Sequence, residues 1–139
     1  FLVWLATLAM YRIDTRGIEE SIPDEGPALV VCNHVGYMDA LLLAGAIPRP
    51  VKFVMYYKIF RIPVMNWVFR AGGAIPIAGS KEEPEIFRQA FERIDEALAA
   101  GEIIGLFPEG GLTKDGEIAM FRPGVEKILA RRAVPVVPM

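Results

Sequence analysis

Short, largely apolar runs at 28–32, 51–55, 74–77, 103–107 and 134–137 alternate with stretches whose apolar residues recur at helical spacing, at 38–44, 64–70, 82–100 and 124–132. The runs are rich in Val, Ile and Phe and bounded by Gly, Pro or charged residues, so they read as buried strands. Strands separated by helices pair in parallel, because a parallel neighbour is reached only by a long crossover. A strand apolar on both faces must also be covered on both sides. The chain is therefore expected to form one α/β domain over 1–139, with a largely parallel mixed sheet flanked by helices.

The clearest helix is 82–100, where Ile86, Ala90, Phe91, Ile94, Ala97 and Leu98 share a face, with Ser80 as the expected N-cap and Gly101 just past the end. Its charged residues are expected to face solvent. Pro63 suits the first position of the helix at 64–70, which Gly72 and Gly73 end. Residues 56–60 are read as a possible continuation of the second strand, and Pro76 places the third at an edge or strand end. Val125, Ile128 and Leu129 form the apolar stripe of the last helix.

The only histidine, His34, is followed five residues later by Asp39. At 3.6 residues per turn that spacing leaves two side chains about 140° apart on a helix, and on a strand it puts them on opposite faces. They can meet only across a turn, which Gly36 makes easy. His34 would then stand at the carboxyl end of a strand and ahead of a helix, where open α/β sheets hold their ligands. By itself the pair fits either a hydrogen-bonded structural contact or a general base with its orienting carboxylate. Glu109 follows another predicted strand and is expected to face the same crevice.

The net charge of −2 excludes a strongly basic nucleic-acid binder, while 53% hydrophobic residues suit membrane contact better. The single cysteine, Cys32, is expected to be a small core residue without a disulfide partner. One His and one Cys do not make a zinc set, so no metal is expected. Residues 1–11 form an uncharged apolar run, shorter than the roughly twenty residues a spanning helix needs. It is read as a membrane-interface segment, with the tail of a longer transmembrane helix and an ordinary docking helix as alternatives. The chain opens on Phe1 and stops just after an apolar strand, so a longer parent chain is expected.

Asn33-His34-x4-Asp39, then Phe107-Pro108-Glu109-Gly110, then Val134-Pro135-Val136-Val137-Pro138 resemble in order and spacing the glycerolipid acyltransferase family, which includes lysophospholipid and 1-acylglycerol-3-phosphate acyltransferases. The resemblance runs through nearly the whole chain. It implies that His34 deprotonates an acceptor hydroxyl and Asp39 orients it, and that Asn33, Glu109, Gly110 and Arg122 contact substrate. It also implies acyl-CoA or acyl-carrier protein as donor with no further cofactor, and a place at the cytoplasmic face of the bacterial inner membrane. Residues 53–60 resemble acyltransferase domains fused behind a bacterial transporter, which makes a covalently fused transporter domain an expected partner.

Two departures bear on the acceptor. The family's glutamate block usually continues to an arginine, here replaced by Gly111-Leu112-Thr113, and the block at 73–77 also lacks one. Bidentate arginines are the usual clamp for a phosphomonoester. Their absence points toward a lysophospholipid with an esterified phosphate, unless Lys114 or Arg122 substitutes. Two other functions remain open: a hydrolase using His34 with water, for which no Gly-x-Ser-x-Gly elbow exists, and a non-catalytic lipid-binding or membrane-docking module of the same fold.

Overall fold

The computed structural model describes Ala9, residues 11–113 and residues 115–139. Most of the 1–11 run and Lys114 therefore lie outside the described residues. In chain order the elements are α1 (Ile18–Ser21), β1 (Ala28–Val31), α2 (Asp39–Ala46), β2 (Val51–Tyr56), a 3-10 turn (Tyr57–Arg61), α3 (Pro63–Ala71), β3 (Ile75–Ile77), α4 (Pro84–Ala99), β4 (Ile103–Leu106), α5 (Gly124–Arg131) and β5 (Val136–Pro138). The strands lie in the order β3-β2-β4-β1-β5. Every pairing is parallel, with Ala28 opposite Ile103 and Val51 also opposite Ile103. All five carboxyl ends therefore meet at one edge of the sheet.

The period-two alternation of strand side chains sorts the core into two layers. On one face Leu29, Val54, Ile75 and Ile104 pack against Ala90, Phe91, Ile94, Ala97 and Leu98 of α4 and Ile128 of α5. On the other, Ala28, Val30, Ile103 and Val137 meet Ile18, Ile22 and Ile47. Full burial of each large side chain contributes about 1.5–3 kcal/mol, and Leu29, Ile94, Leu98, Ile103 and Ile104 are all under 2% exposed. At the amino edge, Arg49 donates to the carbonyls of Pro23, Gly26 and Gly101, tying together the loops that lead into β1 and β4.

Several local expectations change. Ser80 does not cap α4: the helix starts at Pro84, whose fixed φ suits a first helical position, and Glu83 stands at the cap. Residues 57–61 wind into a 3-10 turn because the chain must leave the sheet toward α3. Cys32 lies one residue beyond β1 and is half-buried rather than a core residue. The third strand takes the predicted edge position, which Pro76 tolerates without a ladder donor. No described helix is long and apolar enough to cross a membrane.

Candidate active site

β1 and β4 lie side by side, so the loops leaving their carboxyl ends are neighbours. The first carries Asn33 and His34 and runs into Asp39, the first residue of α2, and the second carries Phe107 and Glu109. The turn between His34 and Asp39 closes as the spacing requires, bringing His34 Nδ1 to 2.9 Å from Asp39 Oδ2. The same oxygen accepts the backbone N–H groups of Val35 at 2.8 Å and Gly36 at 2.9 Å. Burial pushes the Asp39 carboxyl up, but the Gly36 N–H, the His34 ring and the Val35 N–H outweigh it and hold the group below its ordinary value. Asp39 is thus an ionised carboxylate. Nδ1 of His34 then carries the ring proton, and Nε2 keeps its lone pair.

The imidazole is held from its face as well as its edge. Phe107 stacks on it with centroids 4.1 Å apart and planes within 17°, and Phe53 lies beyond Phe107 at 6.2 Å and 14°. This column of rings exists because Gly105, opposite Phe53 in the ladder, has no side chain. A Cβ there would stand 2.6 Å from the Phe53 ring and 2.9 Å from Val51. Sequence alone assigns neither Phe107 nor Gly105 a role in holding the histidine. Periodicity places the residues beside Glu109 at a strand end, although an aromatic two positions before a site carboxylate is a usable sign.

Glu109 does not stand open in the crevice. It is 6% exposed, and its two oxygens are taken by backbone donors, His34 N at 2.7 Å and Ala119 N at 2.8 Å. Thr113 N adds a bond to the His34 carbonyl at 2.9 Å. Together they staple the histidine's own backbone to the 110–119 loop. Thr113 Oγ1 is buried there and has no hydrogen-bond partner among the described residues. Gly110 takes a left-handed conformation, φ 71°, and Arg122 lies directly across it, where a Cβ would meet Nε at 2.6 Å. Arg122 is anchored by its own N–H to the Pro108 carbonyl. The Asn33 amide oxygen receives only a long contact, 3.8 Å, from the Cys32 thiol. Burial first, then the charges of Asp39 and Glu109, push that thiol's pKa up, so Cys32 is poorly suited to be a nucleophile. No group of three potential ligands for a metal ion occurs among the described residues.

A model of the family described as Acyltransferase matches residues 12–139. The chain belongs to the acyltransferase family. Among similar proteins, a chloroplast 1-acyl-sn-glycerol-3-phosphate acyltransferase of Brassica napus is 31% identical over 129 residues, covering 93% of this chain and 37% of that protein. A 1-acyl-sn-glycerol-3-phosphate acyltransferase of Pseudomonas aeruginosa is 26% identical, covering 100% and 53%. The crystal structure of the 1-acyl-sn-glycerophosphate acyltransferase PlsC from Thermotoga maritima superposes with a TM-score of 0.70 at 26% identity, over 87% of this chain and 46% of that one. This acyltransferase chain thus spans between about a third and a half of the length of these relatives, and the wholly parallel sheet that positions His34 is the same α/β fold.

Proposed function

We propose that the chain is a single acyltransferase domain that esterifies the free hydroxyl of a 1-acylglycerol-3-phosphate or a related lysophospholipid. The observation that carries the reading is the His34–Asp39 pair at the carboxyl edge of the sheet, which leaves Nε2 as the basic nitrogen, in a chain of the acyltransferase family. Nε2 takes the acceptor's hydroxyl proton as the oxygen attacks the donor's thioester carbonyl. The new C–O bond forms, the C–S bond breaks, and the leaving thiolate recovers the proton from the imidazolium. Asp39 fixes the tautomer and stabilises that imidazolium. No enzyme nucleophile is needed.

Acyl-CoA or acyl-carrier protein supplies the acyl group, and no other cofactor takes part. The names of the relatives favour the phosphomonoester acceptor, and so does Arg122. Lying across Gly110 beside the Glu109 staple, it offers a cation on the loop where the arginine of the family's block is missing. Asn33 is the remaining substrate contact proposed. The lipid acceptor implies work at a membrane surface, on the cytoplasmic side where such donors are found. The test is product analysis by mass spectrometry after incubating the full-length protein with acyl-CoA and a panel of lysolipids. Diacylated product that vanishes in His34→Ala supports the reading, and no product from any acceptor overturns it. Arg122→Ala should raise KM for lysophosphatidate more than for lysophosphatidylcholine.

A further inference from the structure

α3 presents an outer face that the fold leaves uncovered. Val64, Trp67 and Ala71 share one side of the helix at i, i+3 and i+7, and Ile62 stands just before it. Ile62 is 53% exposed, Val64 72% and Trp67 71%. Single exposed apolar residues need no explanation, but a contiguous stripe on one helix does. The opposite side is the packed one, where Phe69 sets its ring against Phe60 of the 3-10 turn.

The charges around the stripe are one-sided. Residues 51–80 contain Lys52, Lys58, Arg61 and Arg70 and no acid, in a chain whose net charge is −2. Lys52 is paired with Glu102 and Lys58 with Glu82. Arg61, at the start of the stripe, lies over the Tyr57 ring, and Arg70, at its end, bonds to the neutral Asn66. Neither of these two meets a carboxylate among the described residues. An apolar stripe with tryptophan at its centre and a cation at each end is the pattern of a helix lying in a headgroup layer. A second copy fits worse, because a self-complementary contact would bring the arginine-flanked stripe against itself.

We infer that the outer face of α3 seats on the surface of an anionic phospholipid bilayer. α3 begins just past the carboxyl end of β2, so Ile62 and Val64 lie at the same edge of the sheet as His34. Seating there turns the catalytic edge toward the bilayer. The contact itself does not depend on the acyl-transfer reading.

The experiment is co-sedimentation of the full chain with vesicles of phosphatidylcholine alone and of equimolar phosphatidylcholine and phosphatidylglycerol. The parent should bind the mixed vesicles more tightly. Arg61→Ala with Arg70→Ala should weaken that binding by about 30-fold, close to fivefold for each cation, with little change on phosphatidylcholine. Val64→Glu with Trp67→Glu should weaken both, and in a Trp4→Phe background brominated lipids should quench Trp67. His34→Ala should bind as the parent does, which separates this inference from any failure of the catalytic one. Unchanged binding by the arginine variant, whose side chains are exposed and whose thermal unfolding should match the parent's, would overturn the proposal. So would unquenched Trp67, or a dimer in solution that Val64→Glu with Trp67→Glu dissolves.

Discussion

Glu109→Gln is the substitution that best separates a buried staple from a residue that touches substrate. The carboxylate accepts one backbone N–H on each oxygen, from His34 and Ala119. An amide keeps one oxygen and turns its NH2 toward the other N–H, so donor faces donor. A hydrogen bond to a charged group contributes about 1.5–3 kcal/mol, and a buried donor left without an acceptor costs about 1–3 kcal/mol. Relief of the charge's desolvation offsets part of this. The expected net loss is about 2–3 kcal/mol, enough to weaken but not unfold a domain with stability on the order of 0.1 kcal/mol per residue. Urea unfolding at neutral pH measures it, and initial rates on the same preparation should show kcat falling while KM for the acceptor stays near the parent's. A Glu109→Gln protein as stable as the parent but with a much higher acceptor KM would refute the staple and return Glu109 to substrate binding.

His34→Ala should fold normally and lose acyl transfer by about 10²–10⁴-fold, as for other positioned bases. Asp39→Asn should be similarly severe in rate; a well-folded His34→Ala protein turning over at the parent rate would end the mechanism. Acid unfolding carries a signature of Asp39. Its folded pKa is lowered below the ordinary 3.8, so its contribution is complete above that value and lost as pH falls through the folded one. Glu82, held at about 2 by the Tyr56 hydroxyl and Lys58, acts in the same direction below its ordinary 4.5. Stability measured against pH should therefore fall on the acid side, and Asp39→Asn should flatten that limb. Gly105→Ala should destabilise by about 1–3 kcal/mol through overpacking, and it should depress kcat because Phe53 cannot move without disturbing the ring under His34. Kinetics like the parent's in a stable Gly105→Ala protein would show the column to be irrelevant to catalysis.

The strands, the long helix and the His34–Asp39 turn were legible in sequence because each depends on neighbours within a few residues. Apolar runs and a five-residue spacing are local facts. What was not legible depends on which strands become neighbours. That Glu109 would bond the backbone of a residue 75 positions away follows only from β4 lying beside β1. That Gly105 makes room for Phe53 follows only from β4 also lying beside β2. The start of α4 shows a local conflict, in which Ser80 has capping chemistry but Pro84 has the stronger backbone constraint.

The strand order also sets when the site can come into being. β4 lies between β1 and β2, so those two, made first on a growing chain, have no ladder to share until Ile103 and its neighbours arrive and insert. Closing loops of that length is entropically costly and slows folding. A chain interrupted before β4 would hold His34 and Asp39 in sequence but would lack the Phe107 ring and the Glu109 staple. The histidine therefore gains its bearing only once β4 and the loop after it have been made, and termination before that point should give an inert product rather than a weakly active one.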